Sequence, residues 1–157
     1  MAEGRPAVIR AADVPPRTGS SYPAAFAKDV EGRAKRALGD QFGLTQFGVN
    51  LTVIAPGSAS AQRHWHAAED EFIFVIDGEL VLIDDNGEHV LTAGMCAGFK
   101  AGVPNGHMLV NRSSMPASYI EVGTRSPNET ASYPDIDMVA IKDGGKFRFT
   151  RKDGTPY

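Results

Sequence analysis

Residues 71–94 read EFIFVIDGELVLIDDNGEHVLTAG. Two runs rich in Val, Ile, Leu and Phe are broken at Asp77-Gly78, and Asn86-Gly87 then predicts a tight hairpin into a third run. Working outward, residues 43–57 (GLTQFGVNLTVIAPG) place Phe47, Val49, Leu51 and Val53 at the two-residue rhythm of a strand with one buried face, closed by Pro56-Gly57. Downstream, HMLVN (107–111) and ASYIEVG (117–123) supply two more strands, separated by the turn residues RSSMP (112–116). Short strands at close spacing with Gly-rich turns predict an all-β sandwich or barrel.

Between these strands lies RHWHAAEDE, residues 63–71. On a strand, side chains two apart share a face, so His64 and His66 project together while Trp65 faces the other way. Glu71 follows a short polar link at the start of the next strand, and His107 opens a strand of its own after Gly102. Three imidazoles and one carboxylate suit a divalent Fe, Mn, Zn, Ni or Co ion, and octahedral geometry leaves about two positions open for substrate. His64, His66, Glu71 and His107 are the expected metal ligands. His89, on the hairpin, reads as a surface residue.

Length and composition bound the alternatives. A chain of 157 residues with 42% hydrophobic content buries one sizeable core and is short for two domains. A net charge of −3 and no basic run longer than Lys35-Arg36 give no footprint for nucleic acid or an anionic membrane. The N-terminal stretch MAEGRPAVIRAADVPP lacks an apolar signal core, and the lone Cys96 has no internal disulfide partner, so a cytoplasmic protein is expected. Residues 1–43 read as an arm, extended near AVIRAADV, plus one short helix over Pro23 to Leu38 ending at Gly39. Residues 44–124 read as the barrel. Residues 125–157 read as a C-terminal segment of the same domain, with a strand or two and irregular wrapping.

The residues resemble a known family. GSASAQRHWHAAEDEFIFVIDG (57–78) is similar to the first motif of cupins, with Gly57, His64, His66, Glu71 and Gly78 in place and one extra residue before His64. GMCAGFKAGVPNGHMLVN (94–111) is similar to the second motif, with Gly94, Gly102, His107 and Asn111 in place. There Lys100 stands where the motif has Pro, and two extra residues precede His107. The flanks LGDQFGLTQFGVNL and RKDGTPY resemble small bacterial single-domain cupins, some labelled sugar-phosphate isomerase. The resemblance implies a jelly-roll barrel, a metal on those four ligands, and homodimers. The arm RPAVIRAADV offers one way to cover a partner's sheet edge.

The expected function is that of a metal-dependent enzyme acting on a small polar, oxygen-containing molecule, by dioxygenase or by isomerase or lyase chemistry. The alternative is a non-catalytic small-molecule-binding or sensor module. A purely structural barrel fits poorly with a complete ligand set. Arg63 and Lys100 either capture a substrate carboxylate or phosphate or extend into solvent. Tyr119 and Glu121 alternate with Ile120 and Val122, and one of these pairs faces the cavity. Trp65 reads as packing, with stacking on a ligand as the alternative, Glu69 and Asp70 as solvated loop acids of which one could take a proton at the pocket rim, and Cys96 as a small buried hydrophobe.

Overall fold

The computed structural model describes residues 4–157. Among the described residues twelve strands form three sheets in a jelly-roll arrangement. The largest sheet has the order β1 (Arg33–Ala37), β2 (Phe47–Ile54), β9 (Ala117–Thr124), β4 (Glu71–Asp77), β7 (Cys96–Phe99). Facing it, β12 (Lys146–Thr150), β11 (Met138–Asp143), β10 (Glu129–Tyr133) and β3 (Trp65–His66) make a second sheet, and β6 (Gly87–Thr92), β5 (Glu79–Asp84) and β8 (Met108–Val110) a third.

Alternation sets the inside and outside of the barrel. On β4, Ile73 and Val75 are buried, while Phe72, Phe74 and Ile76 are exposed on the outer face. The inward residues pack with Ile54, Leu80, Leu82, Leu91, Leu109 and Tyr119 as one core, and Ala131, Tyr133, Met138 and Ala140 form a second beneath Tyr22 and Phe149. The hairpin at Asn86-Gly87 joins β5 to β6, with Asp84 opposite Gly87. At Gly78 the chain turns at φ +80°, and a Cβ there would stand 2.8 Å from the Ala117 Cα, so a side chain is excluded by both strain and contact. Asn111 is fully buried and closes the β8–β9 turn, donating to the carbonyls of Ile54 and Met115 at 2.8 Å and accepting from the Ser113 amide and hydroxyl.

The structure corrects the helix expected over Pro23 to Leu38. Only α1 (Ala24–Ala27) and a 3₁₀ turn (Lys28–Val30) form, then the chain becomes β1, with a second short helix, α2 (Leu38–Gln41), after it. Gly32 marks the break, since a Cβ there would lie 2.9 Å from the Cβ atoms of Ala55 and Ser58. Pairing of β1 with β2, Arg33 opposite Ile54 through Ala37 opposite Asn50, overrides the local helical spacing. The N-terminal stretch forms a 3₁₀ turn at Ala11–Asp13 and bridges β1 through Arg17 and Lys35. The C-terminal segment carries three strands, β10 to β12, instead of one or two.

Candidate metal centre and its cavity

The register of the largest sheet decides which side chains look inward. Residues directly opposite one another share a face, so the inward set runs Arg33 and Lys35 on β1, Asn50, Thr52 and Ile54 on β2, Tyr119 and Glu121 on β9, Glu71 and Ile73 on β4, and Phe99 on β7. Tyr119 and Glu121 are therefore the pair facing the barrel interior. From the opposite wall, His64 and His107 form an antiparallel bridge, and His66 lies beside Ala131 on β10.

His64, His66 and Glu71 place ligand atoms within 4.8 Å of one another, and His107 joins them through Glu71. His64 Nε2 lies 3.1 Å from His66 Nε2, and Glu71 Oε2 lies 3.4 Å from His66 Nε2 and 3.2 Å from His107 Nε2. Backbone carbonyls orient two of the rings: His64 Nδ1 lies 2.8 Å from the Gln62 oxygen and His107 Nδ1 3.4 Å from that of Asn105. A ring that donates from Nδ1 presents a lone pair at Nε2, the form that binds a metal. Phe99 stacks on His107 with centroids 3.5 Å apart and planes within 4°, and Tyr133 stacks on His64 at 5.5 Å.

Electrostatics agree with a cation-seeking cluster. Burial pushes the His64 imidazole down to about 4, against the pull of Glu71. For His66, burial works downward, but the hydrogen bond and charge of Glu71, with Glu129 and Glu69 beyond, leave it raised. Burial would raise Glu71, yet hydrogen bonds to His107 and His66 hold its carboxyl well below the usual range. His64 Nε2, a lone-pair acceptor when Nδ1 carries the proton, lies 3.1 Å from His66 Nε2, so the two rings can share one proton or one cation there. Three imidazole nitrogens and one carboxylate oxygen fit a divalent first-row metal.

A cavity of about 390 Å³ opens over this cluster, lined also by Tyr22, Arg33, Lys35, Asn50, Tyr119 and Glu121. Lys35 Nζ is ion-paired with Glu121, whose Oε1 also accepts from Asn50 Nδ2 at 2.9 Å. The Tyr119 hydroxyl donates to Glu121 Oε2 at 3.3 Å, and burial pushes that phenol well above its ordinary value, so it stays a donor.

Other sequence expectations resolve differently. Arg63 is outside this cavity: its guanidinium forks onto Asp135 at 2.7 Å through both Nε and Nη2, and Nη1 pairs with Asp85 and donates to the Gly106 carbonyl at 3.2 Å. It fastens loops and neither reaches the cavity nor extends freely into solvent. Lys100 is exposed and borders, with Trp65, a second cavity of about 220 Å³ that shares His66, Phe99 and His107 with the first. Glu69 is no solvated acid, since its side chain is 13% exposed and its Oε1 accepts from Lys142 Nζ and the Ser126 amide, both at 2.8 Å. Cys96 is exposed instead of buried, because Ala97 and Phe99 take the inward positions of β7. His89 is exposed, as expected.

Sequence reasoning missed Arg33, Lys35, Asn50 and Glu129. Glu129 is 3% exposed and accepts from the amides of Ala67 and Thr130 at 2.8 Å and of Ala68 at 3.0 Å, which fixes the loop after His66. It forms a cluster with His66 and Glu69, but those amides already occupy its oxygens.

Among the described residues no helix is long and apolar enough to cross a membrane. The Cupin domain family model matches residues 50–123. A crystal structure from Silicibacter pomeroyi, described as a sugar phosphate isomerase from a cupin superfamily, is 49% identical with a TM-score of 0.92 and 96% of each chain covered. A structure from Acidithiobacillus ferrooxidans is 24% identical over 80% of each chain with a TM-score of 0.73. A polyketide cyclase from Streptomyces resistomycificus is 19% identical with a TM-score of 0.61, covering 74% of this chain and 78% of its own, and shares the fold. Among curated proteins nothing matches the chain. Both motifs, the inward-facing ligand cluster and a relative at 49% identity along nearly the whole length lead to one assignment: this chain belongs to the cupin superfamily.

Proposed function

We propose that the chain is a metal-dependent isomerase acting on a small hydroxylated carbonyl compound that carries a phosphate. The observation that carries the proposal is the convergence of His64, His66, His107 and Glu71 on one cavity of about 390 Å³. The description of the 49% identical relative as a sugar phosphate isomerase supports the reaction class. A divalent metal on these ligands supplies Lewis-acid polarisation of a substrate carbonyl.

The chain's own groups provide the rest. Glu121 Oε1 is held by Lys35 and Asn50, which leaves Oε2 with only the long contact from Tyr119. That oxygen takes the proton from the hydroxyl-bearing carbon beside the carbonyl and, as the neutral acid, returns it to the former carbonyl carbon, while the hydroxyl proton passes to the former carbonyl oxygen; Tyr119 donates to the carboxylate before and after the transfer. Glu69 lines the same cavity with its Oε1 likewise tied, to Lys142 and the Ser126 amide, and is the rival for this role.

The test is turnover of a panel of aldose and ketose phosphates by protein loaded in turn with Mn, Zn, Ni, Co or Fe. Interconversion at equal rates under air and argon is expected. Oxygen uptake matching substrate loss would make the chain a dioxygenase instead, and binding without turnover by any metal form would leave a sensor or storage module.

We also infer a homodimer built on the outer face of the largest sheet. Phe72, Phe74 and Ile76 are 43%, 41% and 45% exposed there, and Ile120 and Val122 lie directly opposite Phe74 and Phe72 on β9. A contiguous apolar sheet face of this kind is unusual on a monomer. Phe74→Glu is expected to convert a dimer to a monomer by light scattering, and an unchanged mass would place the interface elsewhere.

A further inference from the structure

The cations around the cavity are not equivalent. Lys35 is paired with Glu121, Lys142 with Glu69 and Arg125 with Asp40. Arg33 lines the same cavity, yet among the described residues it has no carboxylate partner. It donates to two carbonyls, from Nη1 to Ser60 at 2.5 Å and from Nη2 to Gly19 at 3.4 Å. A guanidinium has five N–H donors, so three remain.

Two hydroxyls that line the same cavity have protons to give. Ser60 Oγ accepts from the Leu109 amide at 2.9 Å, and the Tyr22 hydroxyl accepts from the Gln62 amide at 3.3 Å. Both residues line the cavity. Burial raises the Tyr22 and Tyr119 phenols, so both stay protonated donors on the cavity they share with Arg33.

Position completes the case. Ser60 hydrogen-bonds across to Leu109, and His64 bridges His107 two residues earlier along the same segment. The Ser60 carbonyl that holds Arg33 is therefore level with Leu109, roughly 7 Å along that strand from His107 at about 3.3 Å per residue, and four residues from His64 on its own segment. That separation suits a short carbon chain with a carbonyl at one end and a charged group at the other.

We propose that Arg33, with the Tyr22 and Ser60 hydroxyls, forms an oxyanion subsite that holds the phosphate or carboxylate group of the substrate while its other end faces His64, His66, Glu71 and His107. An unpaired guanidinium in a confined space is the strongest recognition element a protein offers to such groups, because it gives charge and two parallel donors together. The proposal rests on the reading of this cavity as the reaction site, and it names the feature that selects anionic over neutral substrates.

The experiment is calorimetric titration at pH 8 of chelator-treated protein with inorganic phosphate and, separately, with acetate, so that no metal contributes to anion binding. Wild type is expected to bind at least one of the two anions, Arg33→Met to bind it about tenfold more weakly or worse, and Arg33→Lys to fall between. Because Arg33 also ties Ser60 to Gly19, Tyr22→Phe serves as a second variant that leaves those bonds intact, with a loss of a few-fold expected. Phosphate binding that depends on Arg33 identifies a phosphate ester, and acetate binding alone identifies a carboxylic acid. No binding of either anion by wild type, or equal binding by wild type and both removal variants, would overturn the subsite. Its failure is separable from that of the isomerase reading: turnover with an unchanged KM in Arg33→Met removes the subsite and keeps the isomerase, whereas Arg33-dependent binding of a sugar phosphate without turnover does the reverse.

Discussion

Replacing His64 and His107 together by Ala is expected to reduce bound metal from about one equivalent per chain to background. Protein purified without chelators and assayed by elemental analysis provides the measurement. Groups that merely orient a ligand cost 10- to 100-fold in metal affinity when removed, so deletion of two ligating nitrogens exceeds that range. A second readout separates lost metal from lost fold. A ligand that binds only the native state stabilises it by about 4 kcal/mol at a thousandfold excess over Kd, so metal addition should raise the wild-type melting temperature and leave the double variant unmoved. The metal-free forms should differ less, because Ala at position 64 removes one of two imidazole nitrogens that face each other at 3.1 Å. His107 is 4% exposed and stacked on Phe99, and its loss leaves space that lowers the melting temperature somewhat. Metal retained by the double variant, or none taken up by wild type even after reconstitution, would end the metal reading.

This cluster of side chains was legible in the sequence for a physical reason. His64, His66 and Glu71 sit within eight residues on or beside strands, so the period of two settles their direction without knowledge of the rest of the fold. His107 needed only a strand start. The charged lining was not legible in the same way. Arg33 and Lys35 share a face only if the segment is a strand, and Val30, Ala34 and Leu38 at helical spacing pointed to a helix, whose Arg33 and Lys35 would diverge. The deciding influence, pairing with β2 across residues 50–54, lies outside the segment. Arg63 shows the converse problem. Its neighbours in sequence are metal ligands, but Asp85 and Asp135, far away along the chain, take its guanidinium. Inward or outward orientation on β9 was equally open until the register put Tyr119 opposite Val75 and Glu121 opposite Ile73.

That register leads to the second large effect, on turnover. Glu121→Gln keeps the size and the hydrogen-bonding oxygen of the side chain and removes its basicity. General-base transfer is worth about 10²- to 10⁴-fold, so kcat is expected to fall within that range. Metal content should stay at the wild-type level, since Glu121 lies one inward row from Glu71 along β9 and β4 and is bonded to Lys35, Asn50 and Tyr119, not to an imidazole. The amide leaves Lys35 without its anionic partner in a cavity where charge is poorly screened, so substrate binding should tighten or stay constant for an anionic substrate, and the loss should appear in kcat instead of KM. Tyr119→Phe, which removes the proton steadying Oε2, should cost less, about tenfold, in line with a single hydrogen bond to a charged group. Glu69→Gln is the comparison that decides the assignment. Glu69 shares the cavity but is tied to Lys142 and Ser126, and its replacement should leave kcat within a few-fold of wild type. A larger loss from Glu69→Gln than from Glu121→Gln would move the proton transfer across the cavity to Glu69, beside His66, and remove Glu121 from the reaction.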